Sequence, residues 1–116
     1  MKGPSVTAVL IVEVEIDPAD DEEFNRWYDE EHVPEKLRSP GFRSARRFRA
    51  HDDDTRYLVI YELDSPEAAT SPAYMSQELS AWTRSLMSRW KGWRRSVWVA
   101  LDSGPETTQP AATAPE

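Results

Sequence analysis

Glu23-Phe24-Asn25-Arg26-Trp27-Tyr28-Asp29-Glu30-Glu31-His32-Val33-Pro34-Glu35-Lys36-Leu37 is the stretch around which this chain is organised. At 100° per residue, Phe24, Trp27, Tyr28 and Glu31 share one stripe of a helix, and His32 lies on its flank beside Tyr28. Arg26, Asp29 and Glu30 face outward. An ordinary amphipathic helix fills its inner face with aliphatic residues. This one uses Trp, Tyr and a carboxylate, with one of the chain's 2 histidines at the edge. Pro34 disfavours a helical Val33, so the helix is expected to end or kink at His32, leaving the imidazole at a helix C-terminus beside a cavity. The same residues also read as plain core packing, with His32 as a cap.

Working outward, the flanks supply a sheet. Val6 to Ile16 alternates as a strand, with Ala8, Leu10, Val12, Val14 and Ile16 on one face and Thr7, Val9, Ile11, Glu13 and Glu15 on the other. Asp17-Pro18 and the acidic run after it start the helix. Beyond the turn Arg38-Ser39-Pro40-Gly41, Phe42 to Ala50 alternates as a second strand. Phe42, Ser44, Arg46 and Phe48 share one of its faces. His51 to Thr55 reads as a hairpin loop, and Arg56 to Leu63 as a third strand. Asp64-Ser65-Pro66-Glu67 opens a second helical region, restarted at Ser71-Pro72. Met75, Leu79, Trp82, Leu86 and Trp90 form its stripe, and Gly92 stops it. Trp93 to Leu101 is the last strand.

The order is β-α-β-β-α-β, the ferredoxin-like unit: an α+β fold with both helices on one face of a four-stranded antiparallel sheet. The other face is expected to carry Val9, Ile11, Tyr57 or its neighbours, and Val97, too apolar to stay wet. A homodimer packing two sheets face to face would cover it.

Composition sets the bounds. The 116 residues are one domain over residues 1–102, followed by a Pro-rich run, 103–116, expected to be a disordered tail. A net charge of −7 argues against nucleic acid or an anionic membrane as partner. The absence of cysteine removes disulfides, thiolate metal sites and a Cys nucleophile. No apolar run is long enough for a signal or membrane span, so a cytoplasmic protein is expected.

Trp27-Tyr28 followed by His32 and Pro34, then Pro40-Gly41-Phe42, make the chain resemble the dimeric α+β barrel superfamily, and within it the EthD-like group, named for ethyl tert-butyl ether degradation. Ser65-Pro66-Glu67 and Ser71-Pro72-Ala73-Tyr74 add to the likeness, which spans about residues 5–101. The resemblance implies a homodimer with a small-molecule cavity between helices and sheet. It also implies a range of activities, from cofactor-free monooxygenases, lactone isomerases and polyketide cyclases to haem-degrading enzymes, and fold does not choose among them.

The candidate catalytic set is His32, Tyr28 and Glu31. Chemistry on a carbonyl compound needs one group that moves a proton near neutral pH and another that steadies the enolate; His and Tyr suit these tasks. Glu30, Glu31 and the helix end are expected to favour protonated His32, fitting a general acid. Phe24, Trp27 and Trp82 are the candidates to contact an aromatic or polyketide-like ligand. No metal is expected, since no second His approaches His32 and His51 sits among solvated aspartates. Glycine-rich phosphate loops are absent, so no nucleotide cofactor is expected. His32 could hold a haem iron, and nothing else in the chain points to one. Arg43, Arg46, Arg47, Arg49 and Arg56 are expected to pair with Glu13 and Glu15 across strands, or to hold a substrate carboxylate or phenolate. Two readings stand: a cofactor-independent cyclase, isomerase or monooxygenase, and a non-catalytic dimer that binds or carries the same compound.

Overall fold

The β-branched alternation of the first strand puts Ala8, Leu10 and Val14 in the core and leaves Val9 and Ile11 half-buried opposite them, so one face of the sheet is covered. A computed structural model describes residues 6–101. The expected tail at 103–116 lies outside the described residues. β1 (Ala8–Glu15), β2 (Phe42–Ala50), β3 (Asp53–Leu63) and β4 (Gly92–Val99) form one antiparallel sheet in the order β2-β3-β1-β4. The helical segments lie against one face of it. This is the ferredoxin-like α+β fold that the element order predicts.

The first helical segment does not end at His32. After a 3-10 turn at Pro18–Asp20, α1 (Asp21–Trp27) runs through a π turn (Tyr28–His32) into α2 (Val33–Leu37). The π turn is why Pro34 is tolerated. A proline inside an α-helix clashes with the carbonyl four residues back, and widening the preceding turn relieves that crowding. The Val33 N–H donates to the Tyr28 carbonyl, and helical dihedrals hold at His32 and Val33.

The second helical region departs further. A 3-10 turn (Pro66–Thr70) leads into α3 (Pro72–Met75), and α4 (Ala81–Arg89) starts afresh with Ser80 accepting from the Thr83 N–H. The expected five-residue stripe is therefore broken. Leu86 is buried, while Met75 and Leu79 are exposed. Gly41 has φ +88, and a Cβ there would lie 2.7 Å from the Ala68 Cβ. Only glycine allows both the turn and this approach of the 3-10 segment.

Two strand assignments shift by a face. A bulge between Phe42 and Ser44 keeps Phe42 in the core beside Leu63 and sends Ser44, Arg46 and Phe48 to the open face. Val97 lies opposite Leu10 and packs on the core, and Tyr57 is buried there too. The open face instead holds Val9, Ile11, Leu58, Ile60, Phe48 and Trp98, by register. The hairpin loop is shorter than expected, a turn at His51-Asp52, because Asp53 already pairs with Ala50. Glu15 stands opposite Arg56 and Glu13 opposite Arg94 in that register. Arg47, however, turns away from both.

Candidate functional site

The two halves of the long helical segment bury different chemistry. Phe24 and Trp27 are inaccessible to solvent, and the Trp27 indole N–H donates to Thr83 Oγ1 at 2.9 Å. Both are scaffold. Trp27 is also the wall behind the imidazole, stacked on His32 with centroids 4.2 Å apart. The next turn brings Tyr28 and His32 together edge to face, with centroids at 5.2 Å.

Glu31, expected beside the imidazole, is used elsewhere. Its Oε2 accepts from Ser80 Oγ and from Thr83 Oγ1 (2.9 Å), tying the π turn to the start of α4. Trp82, expected to contact a ligand, sits at the seam between the helices. Its indole N–H donates to Glu23 Oε2 at 3.0 Å, and the Arg26 guanidinium lies over its ring.

His32 is neutral, contrary to the expected acid. Burial, and secondarily the Lys36 ammonium, push its pKa down to about 3. The acidic neighbours in sequence do not offset this, because Glu31 points to α4 and Glu30 pairs outward with Arg26. Nδ1 of His32 is buried without a hydrogen-bond partner among the described residues, and so is the Tyr61 hydroxyl. Burial also raises the Tyr28 and Tyr61 hydroxyls, which keeps both protonated as donors throughout the neutral range. The Arg47 charge works against this in both.

Tyr61 and Lys36 of this cluster escaped the sequence reading, and Arg47 was expected only as one of five arginines. Tyr61 projects from β3 into the core, within electrostatic range of Tyr28, Tyr74 and Arg47. Lys36 is buried four residues beyond His32. Its Nζ donates to Gln77 Oε1 at 2.8 Å and lies 4.7 Å from the Tyr74 ring centroid. Arg47 caps the other side, its guanidinium carbon 4.4 Å from the Tyr28 centroid. It is fixed by Nη2 donating to Asn25 Oδ1 (2.7 Å) and by Asp29 at 3.6 Å. Behind it, a cavity of about 400 Å³ is lined by Asp21, Asn25, Arg47, Phe48, Arg49 and Tyr57. Arg47 thus separates an outer cavity from the ring of Tyr28. Another cavity, about 290 Å³, opens at the end of the sheet among Glu13, Phe48, Leu58 and Arg94.

Among the described residues no cluster of His, Cys, Asp and Glu has the arrangement to hold a metal ion. His51 is exposed in its turn. No helix among the described residues is long and apolar enough to cross a membrane.

A family profile described as a domain of unknown function (DUF4286) matches residues 7–96. No curated protein matches the chain in sequence. Among solved structures, the chain is similar to a monooxygenase from the gene ActVA-Orf6 of Streptomyces coelicolor, in complex with the ligand nanaomycin D. Identity there is 18%, with 94% of this chain and 96% of that one covered and a TM-score of 0.69. It is likewise similar to SnoaB, a cofactor-independent oxygenase from Streptomyces nogalater, at 17% identity, with 88% and 100% covered and a TM-score of 0.65. A dimeric ferredoxin-like protein from an uncultured marine organism matches at 14% identity, with 90% and 96% covered and a TM-score of 0.69. At these identities the likeness establishes the ferredoxin-like fold.

Proposed function

The chain belongs to the DUF4286 family, a domain of unknown function, and we propose that the polar cluster between its π turn and the sheet forms a ligand chamber, in which the protein binds and oxidises a small aromatic or polyketide-like carbonyl compound without a bound cofactor. The single observation behind this is the pair of buried polar atoms without a partner among the described residues, His32 Nδ1 and Tyr61 Oη, the first in ring contact with Tyr28 and the second within its electrostatic range. A buried polar group without a partner costs about 1–3 kcal/mol. Two in one cluster are accounted for by a ligand that meets both.

The neutral imidazole supplies the base. With its proton on Nε2, His32 Nδ1 takes a proton from a carbon flanked by a carbonyl or aryl ring, and the Tyr28 hydroxyl donates to the oxygen that gains charge. The electron-rich anion then reduces dioxygen. The methylene becomes a hydroperoxide, which loses water to leave a ketone. One methylene and one dioxygen thus give one carbonyl and one water, with no further reductant. Isomerisation or cyclisation would begin with the same proton removal. The EthD-like likeness, carried by Trp27-Tyr28, His32, Pro34 and Pro40-Gly41-Phe42, is in keeping with a carbonyl ligand.

We also assign a homodimer, supported by the half-buried Val9, Ile11, Leu58 and Ile60 on the open face and by 56% exposure of Trp98. Light scattering at micromolar concentration should give twice the chain mass; a monomer would overturn it.

The test of function is conversion of anthrone to anthraquinone in air with chelator present. Turnover should fall at least tenfold, about 1.4 kcal/mol, in His32→Gln. The Trp27 ring stacked on the imidazole, with Nδ1 buried, favours a second reading, a carrier that binds the same compound. Binding without turnover would select it, and neither binding nor turnover would sink both.

A further inference from the structure

Lys36 is the group that this chemistry leaves unexplained. It is 8% exposed, and lysine is almost never so buried unless paired. Both groups it touches are uncharged, the Gln77 amide and the Tyr74 ring. Among the described residues no carboxylate lies within ion-pair distance of its Nζ. A second cation approaches the same ring: Arg95 Cζ is 5.5 Å from the Tyr74 centroid, and its Nη2 donates to the Ala69 carbonyl at 2.7 Å, again a neutral partner. His32, one helical turn back from Lys36, is uncharged. Among the described residues the carboxylate that acts on the Lys36 charge, Glu35, does so from beyond ion-pair distance, and Arg95 opposes it, so the positive charge here is only partly met. A buried cation in that condition is costly, and an anion supplied by a ligand removes the cost.

Resting on the ligand chamber proposed above, we propose that Lys36 anchors an anionic oxygen of the ligand, so that the compound bound is a small aromatic monoanion. Its charge sits on a carboxylate or on an enol acidic enough to be ionised at neutral pH. Tyr61 Oη and His32 Nδ1 meet the neutral part of the molecule, and Tyr74 lies beneath the charge. A compact ammonium suits this task, because it makes no demand for two oxygens in a plane as a guanidinium does.

Calorimetric titration at pH 7.5 with two matched pairs tests it. The first pair is 1-hydroxy-2-naphthoate and its methyl ester; the second is 2-hydroxy-1,4-naphthoquinone and its methyl ether. The anion of at least one pair should bind at least tenfold tighter than its methylated partner, and which pair responds identifies carboxylate or enolate. Lys36→Met should abolish the preference while keeping the neutral compound's affinity, and Lys36→Arg should retain part of it. Equal binding of anion and methylated partner in the wild type overturns the anchor and leaves the chamber standing. A tenfold preference persisting in Lys36→Met overturns it as well. Failure of all four compounds to bind overturns chamber and anchor together. The wild-type comparison decides the matter even where Lys36→Met does not fold.

Discussion

The two halves of the first helical segment are built from similar residues and end in opposite conditions. In α1, Trp27 is large, amphipathic and fully buried, and its polar atom is matched by Thr83, which Glu31 holds in turn. From the next residue on, Tyr28, His32 and Lys36 are also drawn inward, where among the described residues His32 Nδ1 finds no partner and Lys36 makes no ion pair. Satisfied burial is what a scaffold needs; unsatisfied burial at a π turn, together with a second orphan on β3, is the ground on which we propose the site. Trp90 is the exception on the scaffold side. Its indole nitrogen is buried without a partner among the described residues, and its ring packs edge-on to Phe24 and Trp27.

The contrast breaks most visibly at Trp27. Trp27→Ala should cost about 3–5 kcal/mol, enough to unfold much of so small a domain, as read by urea denaturation. A loss below about 1 kcal/mol would show that α1 is not the scaffold. Glu31→Ala comes next. It leaves Ser80 and Thr83 hydroxyls without their shared acceptor, so about 1–3 kcal/mol should be lost with ligand affinity of the folded protein unchanged. A selective loss of binding would return Glu31 to the site.

The third test is pH. His32 falls to about 3 in the folded chain, against about 6.5 unfolded. Between those values the unfolded chain binds the extra proton, so acidification favours unfolding; above about 6.5 neither state holds it and the penalty vanishes. From pH 6.5 toward 4 the wild type should lose stability faster than His32→Gln, by up to about 1.4 kcal/mol per unit. Parallel curves would mean the imidazole is not held neutral. The smallest effect belongs to Tyr61→Phe. Removing a hydroxyl that has no partner should leave stability within about 1 kcal/mol or raise it, while ligand binding weakens. A loss of about 2 kcal/mol or more would place an unseen partner on that hydroxyl.

What the sequence revealed and what it hid follow from the range of the forces involved. Alternation in Ala8 to Val14 and the aromatic spacing of Phe24, Trp27 and Tyr28 are local patterns, and they gave the sheet face, the helix and the ferredoxin-like order. Pro34 misled, since its usual effect is to stop a helix and a π turn absorbed it. That error hid Lys36: once the helix continues, Tyr28, His32 and Lys36 fall at four-residue steps on one side, a polar stripe visible in the sequence. Tyr61 was visible as well, a hydroxyl on the otherwise apolar buried face of Val59 and Leu63. The rest is tertiary. The bulge at Arg43, the recruitment of Glu31 by Ser80 and Thr83, and the placement of Arg47 over Tyr28 depend on residues far apart in the chain.

The most direct test of the chamber is a crystal structure of the protein with 1-hydroxy-2-naphthoate. The ring system should lie between the π turn and β3, with ligand oxygens within hydrogen-bond distance of Tyr61 Oη and His32 Nδ1 and the carboxylate on Lys36 Nζ. A ligand seated instead in the cavity among Glu13, Leu58 and Arg94, with His32 and Tyr61 as closed as before, would contradict it.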